Sequence, residues 1–175
     1  MPHVAKSTVS PVSLFSVYAQ EDEDLYQELE QHLITLKQQH LIITQSDRHI
    51  VPGKDLRREI EIHLNNASII LLLISIHFLN SDACYGVEMK RALERHENGE
   101  AHIIPIILRP CAWDYEPSLK MLQTLPTNAI PVTQWSDRSE AFVNIEAGIR
   151  RVVRELAGIN HKQELEEIQP KKCSA

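Results

Sequence analysis

SIILLLISIHFLNSDACYGVEMKRAL, residues 68 to 93, decides how the rest of the chain is read. Its first part, Ile69 to Ile74, is an unbroken apolar run far too short to span a membrane. A strand buried on both faces of a parallel sheet has this character, because neither face alternates with polar residues. The run breaks at Ser75, and a helical pattern starts near Ser81 or Asp82. Tyr85, Met89, Ala92, Leu93 and His96 recur at spacings of three and four and so share one helix face. Glu88 lies beside that face, about two turns inside the helix. In a doubly wound sheet, the helix after a strand starts at the strand's carboxyl end, where ligands bind. Helical side chains lean toward their own N-terminus, which directs the Glu88 carboxylate to that crevice. Arg91 stands three residues on, so an ordinary surface ion pair is the competing use of Glu88.

Upstream, a loose lead-in over residues 1–11 precedes a first strand, Val12 to Tyr18. The carboxylates of Glu21-Asp22-Glu23-Asp24 favour a helix start and read as solvated. Leu25, Leu29, Leu33 and Leu36 mark one face of a helix running to about Gln39. Leu41 to Thr44 is a second strand. Gln45 to Asp55 is loop, with a Pro52-Gly53 turn and Asp55 as cap of a short helix on Leu56, Ile60 and Leu64.

Downstream, Gly99 suits a helix C-cap, and His102 to Leu108 is a fourth strand whose Pro105 indicates an edge. Residues 109–128 are irregular apart from one helical turn around Ser118 to Gln123. Ala129 to Thr133 reads as a fifth, short strand. Asp137 and Glu140 resemble a capping box for a last helix on Phe142, Ile145, Ile149, Val152, Val153 and Leu156. The pattern predicts an α/β, flavodoxin-like, five-stranded parallel sheet in the order 2-1-3-4-5, with helices on both faces. One domain over 12–157 is expected, then a polar tail or linker over 158–175.

Composition narrows the function classes. A formal net charge of −6 gives nonspecific nucleic-acid binding no electrostatic driver, so no nucleic-acid partner is expected. Cys84, Cys111 and Cys173 are too few and too far apart for a disulfide framework or a zinc module. No membrane-spanning run and no signal-like apolar stretch occurs, and a cytoplasmic location is expected. Gly53-Lys54 fails as a phosphate loop: Arg48 replaces the first glycine, and Asp55 the magnesium-binding Ser or Thr. No GxGxxG or GxSxG occurs. A phosphoacceptor receiver would need an Asp where Ile74-Ser75-Ile76 offers none. The nine histidines show no zinc-binding helical spacing, so no metal is expected.

From Val12 to Leu156 the chain resembles a TIR (Toll/interleukin-1 receptor) domain of the prokaryotic type. Val12 to Asp22 is similar to the family's opening strand, Phe-x-Ser-Tyr-Ser with a nearby Asp. Asp47-Arg48 with Pro52-Gly53 matches its Asp-Arg-x-x-x-Pro-Gly loop, and Ser75 to Ser81 its Ser-x-x-Phe-x-x-Ser segment. Cys84 and Glu88 match the cysteine and glutamate that follow. The resemblance implies cleavage of the nicotinamide–ribose bond of NAD+, as substrate and not cofactor, with Glu88 as the catalytic carboxylate. It implies Tyr18, Ala19, Asp47, Arg48, Ser75, Phe78 and Cys84 around the substrate. It further implies self-association with other TIR domains through a loop containing Arg48, Val51, Pro52 and Gly53, in immune or stress signalling.

A single carboxylate suits that reaction. Nicotinamide leaves a cationic pyridinium as a neutral molecule, so no general acid is needed, and an oxocarbenium-like ribose remains to be stabilised. The sequence departs from the family at Gln45 and Leu56, where tryptophans are common, at Ala19, often serine, and at Ala83, often aromatic. Those departures suit the alternative, a non-catalytic adaptor acting through assembly alone.

Overall fold

The computed structural model describes residues 10–45 and 50–158, and the apolar run Ile69–Ile74 forms the inner strand, β3. The other strands are β1 (Val12–Val17), β2 (Ile42–Gln45) and β4 (His102–Ile107), all parallel, in the order β2-β1-β3-β4. Leu72 stands beside Val17 on one side and Pro105 on the other. Successive β3 side chains alternate between two cores, Ile69, Leu71 and Leu73 in one, Ile70, Leu72 and Ile74 in the other, and none has exposed surface. This is the doubly wound, flavodoxin-like arrangement.

The first core is closed by α1 (Glu23–His32), α2 (Ile34–Gln38) and α7 (Arg138–Leu156). Leu25, Leu29, Leu33 and Leu36 all enter it, although the helix expected to run unbroken to Gln39 turns at Leu33. The second core is closed by α3 (Leu56–Asn66), α4 (Ile76–Asn80) and α5 (Met89–Glu97), through Leu64, Phe78, Met89 and Ala92. Leu119 of α6 (Pro117–Lys120) joins it.

The fifth strand expected over 129–133 is a correction: the described residues make a four-stranded sheet. Short 3-10 turns at Thr127–Ala129 and Val132–Gln134 take its place, preceded by Pro126 and Pro131 respectively. Asn128 and Ala129 have φ of 63° and 55°, which no strand accommodates. One residue holds the fifth position. The Leu125 N–H donates to the Pro105 carbonyl at 2.9 Å, and its carbonyl accepts from the Ile107 N–H at 2.8 Å. Leu108 donates inward to Ile74, so the side of β4 where Pro105 lacks an N–H is the outer one, and the proline costs no bond to β3.

The connection after β3 also differs from the single helix expected from Ser81. Ser75 caps α4 by accepting from the Phe78 N–H at 3.1 Å, and Ser81 accepts from the Cys84 N–H at 3.1 Å to start a second element. That element, Asp82–Glu88, is π-helical and runs directly into α5. Its last ring closes from the Met89 N–H to the Cys84 carbonyl. Such wide turns are rare and recur at functional sites.

Candidate functional site

Among the described residues β1 pairs with β2 from Val12 to Phe15 and continues to Val17. A cleft of about 350 Å³ opens at the carboxyl end of β1. The start of α1, the first half of α3 and the π-helical segment form its walls. Glu88, the last π-helical residue, is half-buried in one wall. Arg91, its expected helical partner, reaches Asn65 Oδ1 at 2.8 Å and Glu94 at 2.7 Å.

Cys84 lies about one helical turn before Glu88 in the same wall. Its thiol donates to the Tyr18 carbonyl at 3.4 Å, which ties the π-helical segment to the end of β1. Burial, above all, pushes this thiol up to about 11, and the charges of Glu88, Glu21 and Asp22 act in the same direction. Cys84 is therefore protonated at neutral pH, a state that does not favour nucleophilic attack.

Tyr18 and Glu23 form the other side. The Tyr18 hydroxyl donates to Glu23 Oε2 at 2.7 Å, and its ring lies on Tyr26 with centroids 4.1 Å apart. Gln27 Nε2 donates to Glu23 Oε1 at 3.2 Å. Glu23 was hidden from sequence reading inside an acidic cluster that looked solvated; only its helical spacing of four to Gln27 could have singled it out. Leu56 and Ala83 also line the cleft, at two positions where the resemblance leads one to expect aromatic rings.

Three expected lining residues stand elsewhere. Ser75 is fully buried; its hydroxyl caps α4 and donates to the Asp22 carboxylate. Asp22 has no exposed surface and is also paired with Arg109 at 2.7 Å, so the reading of this acidic stretch as solvated is wrong there. Phe78 is entirely within the second core, on the buried face of α4. Ala19 is buried, and its carbonyl accepts from the Asp22 N–H in a 3-10 turn, Gln20–Asp22.

Asp47 and Arg48 lie outside the described residues. In the rest of that loop, Val51 is 59% exposed, and the Lys54 N–H closes a turn onto the Val51 carbonyl at 3.2 Å. Gly53 has φ of 91°, the left-handed conformation this Pro-Gly turn requires. Among the described residues no three His, Cys, Asp or Glu side chains gather as a metal site, and no helix is long and apolar enough to cross a membrane.

Comparison with known proteins adds three likenesses. A family model described as the TIR domain matches residues 15–145. The uncharacterized protein y4lF of Sinorhizobium fredii is 47% identical over 146 residues, covering 83% of this chain and 44% of that protein. The chain thus spans less than half the length of this relative. The crystal structure of the TIR domain of the Toll-related receptor TRR-2 from Hydra magnipapillata superposes with a TM-score of 0.58 at 21% identity. That superposition covers 81% of this chain and 97% of the other, and is a likeness of fold.

Proposed function

This chain belongs to the TIR domain family, and on that premise we propose that it is an NAD+ nucleosidase with Glu88 as its catalytic carboxylate. The observation that carries this reading is the place of Glu88, half-buried in the wall of the cleft at the carboxyl end of β1. The cleft's volume is near the lower end of the range for small-molecule sites, about 300–1,000 Å³. It suits the nicotinamide–ribose half of the dinucleotide.

In the reaction, the bond from the ribose anomeric carbon to the ring nitrogen breaks, and its electron pair neutralises the pyridinium. Glu88 stabilises the positive charge left on the ribose, and water adds to the anomeric carbon and loses a proton, giving ADP-ribose. Attack by a group of the same molecule in place of water gives a cyclised product. The apolar side chains of Leu56 and Ile60 in the walls lower the local dielectric and strengthen the carboxylate's effect.

Activity follows self-association, with the exposed loop of Val51, Pro52 and Gly53, together with Arg48, meeting other TIR domains in cytoplasmic immune or stress signalling. A second reading, an adaptor acting by assembly alone, draws on Leu56 and Ala83, which present no ring for stacking. Titrating NAD+ into the Glu88→Gln protein under backbone NMR separates the two. Shifts at Tyr18, Glu23 and Cys84 support the enzyme, and an unperturbed cleft supports the adaptor.

A further inference from the structure

We propose that Tyr85 and Glu116 are positioning residues of the cleft: their hydrogen bond holds the π-helical register that sets Ala83, Cys84 and Glu88 in one wall. This rests on the reading of Glu88 as the catalytic carboxylate, and adds what fixes the wall around it.

Two pairs of residues five apart show what the wide turn does. Ala83 and Glu88 both line the cleft, and Cys84 and Met89 are both buried in the second core. On an α-helix, residues five apart stand about 140° from each other around the axis, so neither pair would share a side. Rings closed from residue i to i+5 bring such residues nearly into line. The ring from the Met89 N–H to the Cys84 carbonyl is one of these. The segment therefore holds one residue more than an α-helical turn would, and Val87, 65% exposed, stands on its outer side.

An unbroken α-helix is the competing register. It would set Tyr85 four residues before Met89 on the buried face of α5 and turn Cys84 away from that face. In the structure Tyr85 is only partly buried, and its hydroxyl donates to Glu116 Oε2 at 2.6 Å. Glu116 belongs to the connection after β4, at the start of α6, whereas the Cys84 thiol reaches the Tyr18 carbonyl just after β1. Adjacent residues are thus tied to the connections that leave the two strands flanking β3. Both ties belong to the π-helical register.

The test uses the full chain, with peptide-resolved alkylation of Cys84 by iodoacetamide beside nicotinamide release from NAD+. Tyr85→Phe keeps the ring and loses the hydroxyl, which favours the α-helical register. Cys84 should then be alkylated at least about tenfold faster, as its thiol leaves the burial that pushes it up to about 11. Glu116→Leu should do the same, and Glu116→Gln, which keeps an acceptor, should match wild type. Deleting Val87 from the Tyr85→Phe protein makes both pairs four apart, the α-helical spacing for one face, and should return Cys84 to the wild-type rate. A general loosening of the fold is not reversed by shortening the chain, so this rescue reports the register. Unchanged alkylation in Tyr85→Phe overturns the proposal, and so does a deletion that does not rescue. Tyr85→Phe should also lower kcat/KM for nicotinamide release by at least about tenfold, the effect of a misplaced wall, and the deletion should recover it. A shifted Cys84 with undiminished release overturns the positioning role and keeps the reaction. If wild type releases no nicotinamide, the reaction fails, and the alkylation pattern still decides the register.

Discussion

The Arg109 Nε lies 2.7 Å from Oδ1 of Asp22, a carboxylate with no exposed surface whose other oxygen receives the Ser75 hydroxyl. Asp22 follows β1, Ser75 follows β3 and Arg109 follows β4, so one carboxylate ties together the exits of three strands. Gln20 and Glu23, on either side of Asp22 in sequence, line the cleft at the end of β1.

The two charged partners should not be equivalent. Arg109→Met strands a fully buried carboxylate and is expected to cost about 3 kcal/mol. Asp22→Asn leaves a guanidinium that is 37% exposed and can turn to water, and keeps an acceptor for Ser75, at about 1 kcal/mol. Urea unfolding of the two variants checks the order.

Arg95 is a buried cation, and it caps α3. Its guanidinium donates to the carbonyls of Leu64 at 2.6 Å, Ala67 at 2.7 Å and Glu100 at 3.2 Å. Carbonyls at a helix C-terminus bind a cation through both hydrogen bonds and the helix dipole. Arg95→Met should destabilise by about 3 kcal/mol, through lost charged hydrogen bonds and carbonyls left bare. Arg95→Lys should recover only part, since one ammonium does not span all three acceptors.

Ser16 predicts the opposite sign. It is 5% exposed, and its hydroxyl has no hydrogen-bond partner among the described residues. Strand alternation places it on the same face as Leu14, toward the first core. Ser16→Ala removes an unsatisfied polar group and should stabilise by up to about 1 kcal/mol, read as a higher urea midpoint at constant slope.

Stability should fall in mild acid partly through His102. Its ring meets His96 edge-on at 5.9 Å. Burial, then the neighbouring His96, lowers its pKa, against a smaller opposing pull from Glu155. A depressed histidine means the unfolded chain takes the proton first, so this contribution is complete above about pH 6.5 and is lost as pH falls below it. Thermal unfolding between pH 8 and pH 5, near the limits of histidine titration, should fall less in His102→Asn than in wild type.

Much of this was legible in the sequence where one force acts alone. The run Ile69–Ile74 has a single use, and the leucines of α1 and α2 bury one face whether or not the helix is continuous at Leu33. The fifth strand misled because Ala129 to Thr133 has strand-like residues, while the positive φ at Asn128 and Ala129 is a property of the turn. Asp22 was misjudged because its solvated appearance depends on neighbours, and its partners Ser75 and Arg109 are distant in sequence. Ser75 and Phe78 matched a motif, but a motif does not distinguish a residue that lines a cleft from one that caps or fills the structure behind it. The π-helical turn before Glu88 gave no sequence signal at all.

Nicotinamide release from NAD+ tests the central claim most directly, with the protein concentrated enough to self-associate and compared with Glu88→Gln and Glu88→Ala. Wild type is expected to release nicotinamide, and both variants to lose at least about a hundredfold in rate, the usual scale for removing a charge-stabilising group. Equal release by all three proteins would contradict the assignment of Glu88.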